Sequence, residues 1–201
     1  MGSLDELRRA LSENPKGAEQ KILAFLSLEE TSVVRAEALS LLASVYFKDG
    51  RGNDSVEAAE AAHREHPGAA AHAYTLAESV WRVFHDDARA KSLLATTRAL
   101  ERERSYIQHL ADQLEGEIAL ANGEHARAAT LLTRSLDFEA ANYVQARGSL
   151  RLAGLLVDAG LETDASRAYL EVCLERCRAV DLGIAPMLAE PVKELLARLD
   201  R

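Results

Sequence analysis

The sequence predicts an all-α protein built as an array of helical hairpins, and three observations carry that prediction. Turn signals recur at a nearly constant interval. With Asn14, Gly50, His85, Gly123 and Gly160 as markers, the gaps are 36, 35, 38 and 37 residues, in the range of helix-turn-helix repeats. Between markers, apolar residues recur at three- and four-residue spacing, as on one face of a helix. Aromatic residues make up only 5% of the chain against 48% hydrophobic content. The β-branched and aromatic runs that mark strands are therefore scarce, and Ala and Leu fill the apolar positions instead.

Each element has its own justification. Ser3 and Glu6 have the spacing of a capping box, and Leu4, Leu7 and Leu11 then share one face. Asn14-Pro15-Lys16-Gly17 is expected to break the chain direction. Ile22, Leu23, Phe25 and Leu26 supply the apolar side of the next helix. Val34, Ala38, Leu41, Leu42 and Val45 predict a third helix, closed at Gly50 by a left-handed residue. Asp54 and Glu57 read as a second capping box, ahead of Ala58, Ala59, Ala61 and Ala62. His66-Pro67-Gly68 ends that helix, because proline disfavours helix in the residue before it.

A fifth helix begins near Ala69, with Leu76, Val80, Trp81 and Phe84 as its stripe. Asp86 or Asp87 caps the sixth, which carries Leu93, Leu94 and Leu100. The run from Glu101 to Arg104 reads as a solvated helix end. Ile107, Leu110, Ala111, Leu114 and Ile118 line the seventh helix. Asn122-Gly123 turns the chain into Ala128, Leu131, Leu132 and Leu136. The fifth hairpin has Leu152, Leu155 and Leu156, then Gly160, then Ala165, Tyr169 and Val172. Beyond Gly183 a last helix holds Val192, Leu195, Leu196 and Leu199, with Lys193, Glu194 and Arg198 on its wet side. A helix with one wet face is what a repeat array needs to close its exposed core.

The markers align residue identities as well as spacing. Eight residues before them stand Leu42, Ala77, Glu115 and Leu152, and seven before stand Ala43, Glu78, Gly116 and Ala153. Four before stand Tyr46, Trp81, Ala119 and Leu156. Five after stand Ser55, Ala90, Ala128 and Ala165, and nine after stand Ala59, Leu94, Leu132 and Tyr169. Small residues recur where two helices would cross closely, and larger apolar ones where they would fill gaps.

This pattern resembles the tetratricopeptide repeat (TPR). Leu42-Ala43, Tyr46, Gly50, Ser55, Ala59, Ala62 and Pro67 match it best. Glu78 and His85 depart from it, the closing proline is absent from the later hairpins, and the period exceeds the family's usual length of about 34. The resemblance spans Ser3 to Val180. It implies a right-handed α-α superhelix, a TPR-like solenoid of about five helical hairpins plus a C-terminal capping helix, forming a single domain over residues 1–201.

The same resemblance implies a concave groove, lined by the first helix of each hairpin, that takes an extended peptide or a partner helix. Carried across residue by residue, the groove positions are Ser40, Ser44, Phe47 and Lys48 in the second hairpin. The third gives His72, Thr75, Ser79 and Arg82. The fourth gives Gln113 and Glu117, and the fifth Arg147, Leu150 and Asp158, with Arg151 one residue along. Lys48, Arg82, Arg147 and Arg151 are suited to holding carboxylates, and Phe47 to covering an apolar side chain. The expected binding set is Phe47, Lys48, His72, Arg82, Gln113, Arg147 and Arg151. Chaperone-tail receptors of this family clamp a terminal carboxylate with Lys and Asn on successive first helices. Ser44, Ser79, Glu117 and Gly154 stand at the Asn positions here, so that clamp is not expected.

The remaining expectations are mostly exclusions. The formal charge is −8, which removes the counterion-release drive for nucleic acid. Cys173 and Cys177 lie four apart on one predicted helix, a spacing that strains a disulfide. No further ligands accompany them at metal-binding spacing, so neither a metal nor a cofactor is expected. His63 and His66 could share a face but lack a third ligand. His85-Asp86-Asp87 falls at a turn, where Asp is a cap rather than a catalytic acid. Gly50-Arg51-Gly52-Asn53-Asp54 lacks the Gly-Lys-Ser/Thr end of a phosphate loop and the alternating acids of a calcium loop. The start lacks a signal peptide pattern, and no apolar stretch is long enough to span a bilayer.

The sequence thus predicts a non-catalytic, cytoplasmic protein–protein interaction scaffold or adaptor, with a protein or peptide partner and neither nucleic acid nor membrane. The alternative is an effector-sensing regulatory domain of a larger signalling or transcription regulator. Such an array should be followed by another domain, and the end at Arg201, just after a capping helix, favours the free-standing reading. Solenoid ends and convex faces can also stack, which leaves room for a homo-oligomer.

Overall fold

The computed structural model describes residues 3–13, 15–28, 31–101, 103, 105–135, 142–158, 160, 163–179 and 185–200. Among them are eleven helices and no strand. They are α1 (Leu4–Glu13), α2 (Pro15–Leu26), α3 (Ser32–Lys48), α4 (Gly52–Glu65), α5 (Ala70–Phe84), α6 (Asp87–Leu100), α7 (Tyr106–Ala121), α8 (His125–Ser135), α9 (Asn142–Asp158), α10 (Thr163–Ala179) and α11 (Ala185–Leu199). The first ten form five consecutive hairpins and the eleventh stands alone, as the spacing predicts. The chain divides into two compact units, Met1–Ile107 and Gln108–Arg201.

In the first unit, the core runs through three hairpins. Leu7 and Ala10 of α1, Ala18 and Ile22 of α2, Leu42, Ala43 and Val45 of α3, Val56 and Ala59 of α4, and Leu76 and Val80 of α5 form one continuous apolar cluster. The capping box at Ser3 is present in both directions: the Ser3 N–H donates to Glu6 Oε2 at 2.9 Å and the Glu6 N–H to Ser3 Oγ at 3.3 Å. The break expected at Asn14-Pro15-Lys16-Gly17 separates α1 from α2, with Pro15-Lys16-Gly17 already the first residues of α2, because proline at a helix start loses no hydrogen bond. One local expectation fails: the Asp54–Glu57 box does not form. Helix α4 already begins at Gly52, its N-cap Arg51 makes no side-chain cap, and Asp54 instead accepts from Arg51 Nε at 2.6 Å.

The turn glycines share one geometry. Gly50, Gly123 and Gly160 have φ of 74°, 73° and 66°. Each donates its N–H to the carbonyl three residues back, on Phe47, Leu120 and Val157. In two of them the next residue closes a longer bond, Arg51 to Tyr46 O and Glu124 to Ala119 O, both at 2.8 Å, which satisfies carbonyls the helix end leaves open. The third turn closes differently. His85 takes the left-handed conformation at φ 52°, and the Asp87 N–H donates to His85 O at 3.1 Å.

The aligned positions follow the turns. Five after each marker, Ser55, Ala90 and Ala128 are buried; Ala165 lies outside the described side chains. Nine after, Ala59, Leu94 and Leu132 are buried. Seven before, Ala43, Gly116 and Ala153 are buried, but Glu78 is only partly so. The third hairpin absorbs this misfit by burying Ala77 and Ser79 on either side and turning Glu78 outward to an ion pair with Arg82 at 3.1 Å.

In the second unit, Leu132, Leu152 and Leu156 pack together with Leu155 and Tyr169. Ala153, Leu170 and Cys173 pack against Val192, Leu195, Leu196 and Leu199 of α11. Helix α11 thus covers the apolar side of the last hairpin, while Lys193, Glu194 and Arg198 stay exposed. Leu136, Val180 and Gly183 lie outside the described residues.

The crossing of α7 and α8 depends on Gly116. A Cβ there would sit 2.7 Å from Leu132 Cγ and 3.3 Å from the Leu132 backbone nitrogen. Overpacking of this kind costs about 1–3 kcal/mol, against roughly 1 kcal/mol of helix propensity gained by removing glycine. Gly116→Ala should therefore lower the unfolding free energy by about 1 kcal/mol, read by urea denaturation. An unchanged or raised midpoint would show that the two helices do not approach this closely.

Candidate interaction surface

The groove positions of the first unit lie on α3 and α5, which run in the same sense because each is joined to the intervening α4 by a reversal. Their register is fixed by a hydrogen bond between Ser40 Oγ and His72 Nδ1 at 2.8 Å. Ser44 Oγ donates back to Ser40 O at 3.2 Å, and Thr75 Oγ1 to Ala71 O at 3.0 Å. These hydroxyls are satisfied by their own helices. Phe47 is 44% exposed and Lys48 is also exposed, at the C-terminal end of α3.

Several expected contacts turn out to be structural. His72 is only 3% exposed, so it is not a free surface cation. Its ring makes an edge contact with His66, the residue that caps α4, with centroids 5.8 Å apart. Burial holds the His72 imidazole below its ordinary pKa; His66 and His63 push the same way and Glu37 opposes them. Ser79 is buried, with its Oγ 3.5 Å from that of Ser55, whose hydroxyl donates to Ala43 O. Arg82 keeps a partly exposed side chain, paired with Glu78 and stacked toward the Trp81 ring at 5.5 Å.

The His85-Asp86-Asp87 turn accounts for each of its members. Asp86 Oδ1 accepts from the Arg89 N–H at 3.0 Å and caps α6. Asp87 Oδ1 accepts from Trp81 Nε1 at 3.1 Å. His85 supplies the reversal itself. Among the described residues, no group of three or more His, Cys, Asp or Glu is placed to hold a metal ion. Nor is any helix long and apolar enough to cross a membrane.

The second unit presents Gln113, half-buried, and Glu117, buried, on α7. Leu150 packs against the core of the last hairpin. Asp158 is held by Arg198 Nη2 at 2.5 Å. The side chains of Arg147 and Arg151 lie outside the described residues. One buried polar arrangement in this unit has no signal in the sequence. Asp112, with 7% of its side chain exposed, receives two hydrogen bonds from Arg134, from Nε at 2.6 Å and from Nη2. Beside it on α7, His109 Nδ1 donates to Ser135 O at 3.0 Å, since a carbonyl can only accept. Together these bonds tie the start of α7 to the end of α8.

No protein-family model matches the chain, and no curated protein does. Solved structures that resemble it include the following two. MamA aligns with a TM-score of 0.57 at 19% identity, over 88% of this chain and 95% of its own. A thermophilic TPR protein of Thermus thermophilus aligns with a TM-score of 0.59 at 22% identity, over 94% of this chain and 88% of its own. The fold is therefore all-α and tetratricopeptide-like.

Removing Arg134 leaves the buried Asp112 carboxylate short of two donors. The loss is about 1–3 kcal/mol for an unsatisfied buried group. The exposed half of the Arg134 side chain lets solvent reach the gap and keeps the loss toward the lower end. Arg134→Met should reduce the unfolding free energy accordingly, and the Asp112→Asn, Arg134→Met double variant should recover part of it. Additive losses in that cycle would contradict a direct coupling.

Proposed function

We propose that the chain is a non-catalytic protein-interaction module that uses the face of its first helices to bind a peptide or a partner helix. The observation that carries this reading is the contrast at the end of α3. Leu42 and Val45 are buried in the core, whereas Phe47, about half a turn round the helix from Val45, is left 44% exposed beside the exposed Lys48. An aromatic with a cation next to it suits an apolar side chain flanked by a carboxylate. Arg82 lies farther along the same face. From the Ser40–His72 register, Phe47 is level with Ser79, and Arg82 is about one helical turn beyond. The tetratricopeptide-like fold also fits this reading, since such arrays offer a surface rather than a reaction centre.

The partner is expected to be acidic and apolar in alternation. Selection of a random peptide display library on the full chain should enrich sequences with Asp or Glu next to Leu, Phe or Met. Phe47→Ala and Lys48→Glu alter only exposed side chains, and each should weaken a selected peptide by about fivefold or more, the scale of an anchoring residue. Enrichment that is indifferent to both substitutions would place binding elsewhere.

A further inference from the structure

We propose that His72, packed in the His63–His66–His72 cluster, makes the junction between the second and third hairpins an acid-labile latch, closed while its imidazole is neutral and loosened when it takes up a proton. Three helices meet there. Helix α3 supplies Ser40, whose Oγ is 2.8 Å from His72 Nδ1. Helix α4 supplies His63 in its last turn and His66 as its C-cap. Helix α5 supplies His72, 3% exposed. The rings of His66 and His72 are in edge contact, and His63 Nδ1 is buried with no hydrogen-bond partner.

The charges around His72 do not compensate a buried imidazolium. Among the described residues, the charged or titratable groups acting on it are Glu37 of α3 and His63 and His66 of α4. Glu37 is already engaged by Arg8 Nη2 at 2.9 Å. Glu65, beside His66, is paired with Arg35 at 3.4 Å. No charged group of α6 is among those acting on the ring. Protonating His72 in place therefore buries a cation against two further imidazoles. Opening the His66-Pro67-Gly68 reversal hydrates all three rings and relieves both costs.

The sign follows from linkage. The folded state binds its proton on His72 less tightly than the open state. Stability is therefore fully present at neutral pH and is lost as pH falls below the ordinary histidine range. For each proton taken up on opening, the opening constant rises by up to about tenfold per pH unit. This latch does not depend on the binding reading, because it concerns the free chain.

Amide hydrogen exchange on the full chain, corrected for intrinsic rates, tests it. Between pH 6.5 and 5.0, protection of the α5 amides from Ala73 to Leu76 should fall by about tenfold, while α10 amides hold theirs. His72→Gln, which keeps a polar partner for Ser40, should abolish the fall. A flat wild-type profile, or an equal fall in the variant, overturns the proposal. Should the variant not fold, imidazole resonances of the wild-type chain decide. His72 should titrate below the pH of free histidine, in step with loss of α5 protection. Titration at the free-histidine pH, or out of step with α5, overturns it.

Discussion

The hairpins depend on one constraint, a chain reversal in the left-handed conformation at a fixed distance from the helix crossing. At Gly50, Gly123 and Gly160 the reversal uses the same φ and the same three-residue-back hydrogen bond. Once it is set, the residue seven before it on the first helix faces residues five and nine after it on the second. Those positions must then be small and apolar in combination. Gly116 against Leu132 is the tightest case, with no room for even a methyl group. His85 marks the boundary of the rule: a non-glycine can make the turn, but with a different closure, and Glu78 then swings out of the crossing to Arg82.

Between repeats, the polar surface carries a second layer of order. Arg8 of α1 reaches Glu37 of α3 at 2.9 Å, and Arg89 of α6 reaches Glu60 of α4 at 2.5 Å, first helix to first and second to second. Arg51 joins three elements at once: Glu19 of α2 at 2.8 Å, Asp54 of α4 at 2.6 Å and the Tyr46 ring of α3 at 4.0 Å. Exposed pairs of this kind contribute little individually. They disfavour slippage of one hairpin against the next, which an Ala-rich core with few shape-specific side chains would otherwise resist weakly.

The architecture was legible in the sequence because its signals are local and periodic. The beat, the stripe of apolar residues and the Ser3–Glu6 cap each need only a short window. The same logic failed at Asp54, where an equally good capping pattern lies inside a helix that starts earlier. The surface was less legible for a physical reason. Positions that line a groove and positions that touch the next hairpin are neighbours on one helix face, so a rotation of a fraction of a turn exchanges their roles. His72 and Ser79 fell on the buried side, Phe47 and Lys48 on the exposed side. The partners that decide this, Ser40 for His72 and Arg134 for Asp112, lie 32 and 22 residues away, and no short window contains them.

The turn itself offers the most direct measurement. No atom would lie within 4 Å of a Cβ at Gly50, Gly123 or Gly160, so substitutions there probe backbone conformation rather than packing. The unfolding free energies of Gly→Ala and Gly→Asn at each of the three sites should be compared. Alanine pays about 1–2 kcal/mol in the left-handed region, whereas asparagine enters it readily. The account predicts a clear loss for alanine at all three sites and a markedly smaller loss for asparagine. Equal effects of the two substitutions, or no loss for alanine, would contradict the claim that left-handed reversals set the hairpins.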